Sequence, residues 1–263
     1  MEYRDQHVHT DFSFDSDEKL ENYVALVDHE LVTTEHMDLE SVYADGGDID
    51  IDYDKYVKTI DDFNQNHKQQ ILKGIEIGYR SKIHKRIEEK LSQRDYDIKL
   101  LSVHESDKYS DYMGSQIINY DQREVLEQYY TDIKTAVTNF KDYNILTHID
   151  FAIRRTGFDK ANLDLADQAL GEIFKELIND EKVLEWNTRS VYQYDNKDYY
   201  TFAMKKYLDM GGQLVSVGSD CHKQEIYEYH FKDSFKYLYD MGVRYLAIFE
   251  KGKMTTKKLE EMI

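Results

Sequence analysis

Residues 71–79 read ILKGIEIGY. The stretch has the length and the Ile/Leu content of a buried strand, yet it carries Glu76 in its middle, between two glycines. A carboxylate inside an apolar run is costly to bury unless it is paired or bound to a cation. The same pattern, a short apolar run ending in a ligand-type side chain, recurs along the chain. It is seen at His7-Val8-His9, Thr34-Glu35-His36, Ser102-Val103-His104, Leu146-Thr147-His148 and Ser219-Asp220-Cys221-His222. Neutral imidazole and carboxylate are ligands preferred by divalent transition metals. A ring of parallel strand ends is a geometry that brings such distant residues together.

Strand candidates are Tyr3–Val8, Leu31–Thr34, Ile71–Ile77, Ile98–Val103, Tyr143–Ile149, Val183–Trp186, Leu214–Val217 and Val243–Phe249. Between them, Glu21–His29, Tyr53–His67, Glu124–Phe140, Leu163–Ile178, Tyr199–Met210 and Ile226–Met241 carry apolar residues near the helical period. Repeated β-α units of this size point to a parallel sheet. Seven or eight units in 263 residues favour a closed barrel over an open doubly wound sheet. No linker divides the chain, so residues 1–263 read as one domain. Asp45–Asp54 and Lys108–Tyr120 read as loops over the barrel mouth.

Composition narrows the function classes. The chain has 34 Lys plus Arg against 52 Asp plus Glu, a formal charge of −18. That argues against extended contact with nucleic acid or anionic membrane, which call for basic patches, but leaves room for a small phosphate at a local positive site. No apolar run approaches the roughly 18 residues of a membrane span. His7 follows the N-terminus so closely that no signal peptide is expected. With Cys221 the single cysteine, a reducing, cytoplasmic setting is the simplest expectation. Proline is absent, so turns fall to Asp, Asn, Gly and Ser.

In an alternating strand His7 and His9 share a side, as do Asp220 and His222. Asp11 and Asp15 follow the first pair. His29, His67, His84 and His230 fall in helical stretches and read as surface or packing residues. Arg154, six residues after His148, and Arg189 have the planar fork that suits bidentate phosphate contact, with Arg155 the alternative if the register slips by one. Cys221 has strand parity opposite to its neighbours and reads as a small buried residue. Asn187 reads as a partner of ligands rather than a ligand.

Taken in order, HVHTDFSFDSDE, TEHMD, GIEIGY, SVHES, THIDFAIRR, LEWNTR and GSDCH resemble the PHP (polymerase and histidinol phosphatase) superfamily over nearly the whole chain. The likeness is strongest to its stand-alone histidinol-phosphate phosphatases. The resemblance implies a distorted (β/α)7-type TIM-like barrel with a trinuclear centre of Zn, Mn or Fe at the strand C-termini. It places His7, His9, Glu76 and Asp220 on one metal. Glu76 would bridge to a second, with His104 and His148, and Asp15, His36 and His222 would hold a third. It further implies hydrolysis of a small phosphate monoester, L-histidinol phosphate first, by a metal-bridging hydroxide. Asp220, His222 or water would be the proton donor, Glu76 the shared ligand, and Arg154 and Arg189 the phosphate contacts. A monomer or small homo-oligomer is expected. Alternatives within the resemblance are a PHP phosphoesterase acting on phosphotyrosine or nucleotides, or a non-catalytic metal-binding module.

Overall fold

The computed structural model describes residues 3–263. Its strands are β1 (Leu31–Ser41), β2 (Gly47–Ile49), β3 (Ile71–Gly78), β4 (Ile98–Ser102), β5 (Glu105–Ser106), β6 (Ser110–Asp111), β7 (Ile145–Leu146), β8 (Val183–Asn187), β9 (Val215–Gly218), β10 (Tyr245–Glu250) and β11 (Lys253–Lys258). Its α-helices are α1 (Leu20–Val24), α2 (Tyr53–Asn66), α3 (His84–Leu91), α4 (Gln122–Asn139), α5 (Leu163–Asn179), α6 (Thr188–Tyr192), α7 (Lys197–Asp209) and α8 (Phe231–Met241).

Among the described residues one nine-stranded sheet runs β11-β10-β9-β8-β7-β4-β3-β1-β2, and β5 and β6 pair separately. From β1 to β10 the neighbours are parallel; β2 and β11 lie antiparallel on the two edges. β3 and β8 are buried almost throughout, as expected of a parallel sheet covered on both faces. Helix α5 shows how the layer forms. Its Ala166, Leu170, Ile173, Phe174 and Leu177 fall on one face and are buried. Asp52 and Asp121 cap α2 and α4, each accepting from a backbone N–H three residues on, which supplies helix starts in a chain without proline. A second apolar cluster takes Val32, Leu72, Ile98, Leu100, Ile145, Val183, Ala247 and Phe249 from six of the parallel strands.

Several expectations change. The run Tyr3–Val8 forms a single parallel bridge, Val8 to Cys221, rather than a strand. Side chains take the ladder positions instead. Gln6 donates to Ala247 O and accepts from Phe249 N, and the Tyr3 hydroxyl donates to Val217 O. On its other side Val8 O accepts from Thr34 N at 2.7 Å, so this segment bonds to β1, β9 and β10. Tyr143–Ile149 shortens to β7. The candidate Val243–Phe249 does form a strand, β10, paired to both β9 and β11. The expected loop Asp45–Asp54 contains β2, and Lys108–Tyr120 contains β6 and a 3-10 turn. The strand count thus departs from seven, with two antiparallel edges added. His67 and His230 cap helices and His84 opens α3, while His29 lies beyond the end of α1.

Candidate active site

His36, Glu76, His104, His148 and Asp220 come from the C-terminal halves of parallel strands or just past their ends, while His7, His9 and Asp15 come from the segment before α1. His36 and Glu76 face one another in the β1–β3 register. His104, His148 and Asp220 each stand two residues past a strand end. Asp220 adopts a left-handed backbone (φ 52°), a conformation that Asp tolerates better than most residues and that clusters at functional sites. The turn after His148 is pegged from below by buried tyrosines. The Tyr129 hydroxyl donates to His148 O, Tyr199 to Ile149 O and Tyr200 to the Asp150 carboxylate.

All nine expected ligands converge. Glu76 Oε1 is 2.6 Å from His148 Nε2 and 3.2 Å from His104 Nε2. Its Oε2 is 3.4 Å from His7 Nε2 and 3.3 Å from His9 Nε2. Those two histidines also lie 3.8 and 3.7 Å from Asp220 Oδ1. Asp15 Oδ2, at the rim, is 3.1 Å from His222 Nε2 and 3.5 Å from His36 Nε2. The His9 ring stacks between those of His36 and His222, 4.3 Å from each. Four triads have ligand atoms within 4.8 Å of one another: His9/His36/His222, His7/His9/Glu76, His7/His148/Asp220 and His36/Glu76/His104. Within this cluster His7 Nε2, His9 Nε2, His36 Nδ1 and Glu76 Oε2 are buried and have no hydrogen-bond partner among the described residues. Buried polar atoms left unpaired are expensive. Several of them aimed at one small volume fit divalent metal ions.

The electrostatics agree with that fit. Burial opposes charge on His7, but Glu185, Glu76 and Asp220 overcome it and hold the imidazole pKa well above its usual value. Burial together with His222 and His36 pushes His9 well below it. Burial likewise opposes charge on Glu76 and Asp220. It is outweighed by His7, His36 and His104 around Glu76, and by Arg189 and Arg154 around Asp220, so both carboxylates stay ionised.

The two arginines separate cleanly from Arg155. Arg154 Nη2 donates to Asp220 Oδ2 at 2.9 Å and to Ser190 Oγ at 2.8 Å; Ser190 Oγ in turn donates to Asp150. Arg189 Nη1 reaches Asp220 Oδ1 at 3.3 Å and His222 Nδ1 at 3.1 Å. The Tyr194 ring lies against both guanidiniums, 5.1 Å from Arg154 and 6.0 Å from Arg189. Arg155 is exposed and bonds to Met113 O. A cavity of about 240 Å³ opens over this cluster, walled by Phe14, Tyr43, Met113, Phe151 and Tyr194. Asn187 bonds to Glu185 and Arg154, and Cys221 is fully buried beside the site.

Sequence reasoning passed over Asp38 and Glu185. Asp38 Oδ1 lies 2.7 Å from His104 Nδ1, and Glu185 Oε1 lies 2.7 Å from His7 Nδ1. The signal for Glu185 was the one that marked Glu76, a carboxylate within an apolar run.

A sequence model of the PHP domain matches residues 5–189. The protein belongs to the PHP domain family. This PHP domain is 26% identical to a probable histidinol-phosphatase of Clostridium acetobutylicum, over 95% of this chain and 98% of that one. It is 27% identical to a histidinol-phosphatase of Lactococcus lactis subsp. lactis, over 84% and 85%. With a probable histidinol-phosphatase of Thermotoga maritima it shares 26% identity over 96% and 98%. The PHP fold seen here superposes with a TM-score of 0.83 on the crystal structure of a histidinol phosphate phosphatase from L. lactis, at 24% identity over 95% and 98% of the two chains. That crystal structure is of a complex with zinc, L-histidinol and phosphate.

Proposed function

We propose that this protein hydrolyses L-histidinol phosphate to L-histidinol and inorganic phosphate with the aid of bound divalent metal ions. The observation that carries the reading is Glu76, one of whose oxygens faces His104 and His148 and the other His7, His9 and His36, beneath a cavity flanked by two arginines. His7, His9, Glu76 and Asp220 would hold one ion, Glu76, His104 and His148 a second, and Asp15, His36 and His222 a third. Zinc, manganese and iron all suit this donor set. Bound there, such ions supply Lewis-acid charge against phosphoryl oxygens and bring water to a reactive state near neutral pH.

The protein's own groups define the rest of the chemistry. Arg154 and Arg189 offer N–H donors to the phosphoryl oxygens from beside Asp220, and the Asp150–Ser190 pair keeps Arg154 from swinging away. Asp220 is held ionised by those arginines, so it is suited to accept rather than to donate. The proton that the departing alkoxide needs is then left to water, since His222, placed as a ligand, must be neutral. The aromatic wall of Phe14, Tyr43, Phe151 and Tyr194 receives the organic part of the substrate.

The segment 3–9, bonded to β1 on one side and to β9 and β10 on the other, together with the apolar cluster shared by six of the parallel strands, supports a sheet curled into a distorted barrel. Residues 190–263, beyond the matched family region, continue the same sheet, which supports reading 1–263 as a single domain. The acidic surface and lone buried Cys221 favour a cytoplasmic protein with a small phosphorylated partner, monomeric or a small homo-oligomer, and no nucleic-acid partner. No helix of the described residues is long and apolar enough to cross a membrane.

The test is direct. Purified protein is assayed with histidinol phosphate, phosphotyrosine and an aryl phosphate, with zinc, manganese or iron added. Turnover of histidinol phosphate at much the highest kcat/KM is the expected result. Turnover of phosphotyrosine alone would move the substrate assignment, and no phosphate release with any metal would end the enzyme reading.

A further inference from the structure

Two carboxylates touch the nitrogens of ligand histidines that point away from Glu76, and Asp38 also turns its Oδ2 toward His36 Nδ1 at 3.4 Å. His104 turns Nε2 to Glu76 Oε1 at 3.2 Å and Nδ1 to Asp38 Oδ1 at 2.7 Å. His7 turns Nε2 toward Glu76 Oε2 at 3.4 Å and Nδ1 to Glu185 Oε1 at 2.7 Å. The arrangement is repeated at the two oxygens of Glu76. Both carboxylates are buried. Glu185 does more than meet one ring: its Oε2 accepts from the backbone N–H of His148 and from Asn187 Nδ2, both at 2.9 Å. One side chain thereby fixes His7, the turn that carries His148, and the amide beside Arg154.

Each pair also has a glycine cut to fit it. Gly78 stands opposite Asp38 in the β1–β3 register, and a Cβ there would lie 1.8 Å from Asp38 Oδ1 and 3.3 Å from His104 Nδ1. A Cβ on Gly218 would lie 2.3 Å from Glu185 Oε1 and 2.8 Å from His7 Cβ. Neither glycine has a positive φ, so neither is required by a left-handed turn. Both are required by the room the carboxylates occupy.

We infer that Asp38 and Glu185 are positioning residues that fix the ring orientation and tautomer of His104 and His7, presenting Nε2 to the metal centre, and that Gly78 and Gly218 exist to admit them. A carboxylate on the far nitrogen holds the proton there and leaves the facing nitrogen as a lone-pair donor, which raises its basicity toward a metal. The inference rests on the proposed metal centre but not on the identity of the substrate.

The experiment measures zinc affinity by chelator competition for the wild type, Asp38→Asn and Glu185→Gln, with the melting temperature of each chelated protein as a fold check. Loss of such outer partners typically weakens metal binding by about 10- to 100-fold. Each variant should lose affinity in that range while its metal-free form melts with the wild type. In the zinc-loaded wild type, 15N chemical shifts should show His7 and His104 protonated at Nδ1; this reading stands even if a variant fails to fold. Variant affinities within twofold of wild type, or protonation at Nε2 on both histidines, would overturn the inference. A wild type that takes up no zinc would overturn it together with the proposed function, whereas zinc uptake without histidinol phosphate turnover would leave it standing.

Discussion

Glu76 Oε1 lies 2.6 Å from His148 Nε2, while Oε2 of the same carboxylate is buried and has no hydrogen-bond partner among the described residues. A carboxylate serving only to bond His148 would not hold its second oxygen 3.4 Å or less from His7, His9 and His36. Glu76→Gln removes the charge and replaces one ligand oxygen with an amide N–H₂. Because Glu76 is placed as a direct and shared ligand, its loss should exceed the roughly 10- to 100-fold effect of outer partners on metal affinity. Metal content after dialysis and phosphatase activity should fall together. Full metal retention would remove Glu76 from the ligand set.

Arg189 lies at the cavity wall and is less buried than Arg154. Arg189→Ala should therefore disturb the fold less and report on phosphate contact. A hydrogen bond to a charged group is worth about 1.5–3 kcal/mol, or roughly a 10- to 150-fold rise in KM and in the inhibition constant of inorganic phosphate. Metal content should not change. Equal inhibition by phosphate in variant and wild type would exclude the contact.

Much of this site was legible before the fold was known, for a physical reason. Strand ends concentrate the apolar-to-polar switch into two or three residues, so His36, Glu76, His104 and His148 stand out by local contrast. Asp15 was the weakest because it sits in a loop, where acidic residues are common. Glu185 carried the signal that marked Glu76 and was read as part of a strand, and Asp38 lies two residues past His36, so the role of each shows only when His7 and His104 are brought beside them. Their glycines carry meaning only once neighbouring strands are in register. The fold misreadings share another cause. The segment 3–9 has strand composition, but its side chains occupy the ladder positions of its neighbours, which no single-chain pattern can foretell. Helix α3 was given no bounds, though His84 was placed in a helical stretch and Ile83, Ile87 and Leu91 have helical spacing and are buried, because lysines and glutamates dominate the segment.

Metal binding should release protons. In the metal-free protein the surrounding carboxylates hold His7, His36 and His104 above the ordinary histidine range despite burial, His104 as far as about 10. These rings are therefore charged near pH 7.5, and a ligand histidine must be neutral. The sign follows: raising the pH removes protons that compete with the metal, so apparent affinity climbs as pH rises and falls as it drops. Calorimetry of zinc binding in buffers of different ionisation enthalpy should show at least one proton released per protein near pH 7.5. No net release would contradict the assignment of these rings as ligands.

Phe14 and Tyr43 sit 5.9 Å apart at the cavity mouth, both about half exposed. Tyr43 is tied by its hydroxyl to Asp111, which anchors the rim and leaves the Phe14 ring as the more adaptable wall. Burying a Phe side chain fully is worth about 1.5–3 kcal/mol, and a half-covered ring about half of that. Phe14→Ala should raise KM for histidinol phosphate by roughly 3- to 10-fold, with inhibition by inorganic phosphate unchanged, since the ring that packs on Arg154 and Arg189 is Tyr194 and not Phe14. A matching change in phosphate inhibition would show that Phe14 supports the metal end instead.

Cys221 offers a test against a different chemistry. It lies between Asp220 and His222, where a thiol nucleophile could be imagined. Its side chain is fully buried, and burial pushes the thiol pKa well above its usual value, the opposite of the activation that reactive cysteines need. It does not line the cavity; its backbone bonds to His7 and His9, and these contacts survive substitution. Cys221→Ala should leave kcat and KM within about twofold of wild type. The small void it creates should cost about 1 kcal/mol, a fall in melting temperature of roughly 2–4 °C for a protein of this size. Complete loss of turnover in a folded, metal-loaded Cys221→Ala protein would require a covalent mechanism and would displace the metal-assisted one.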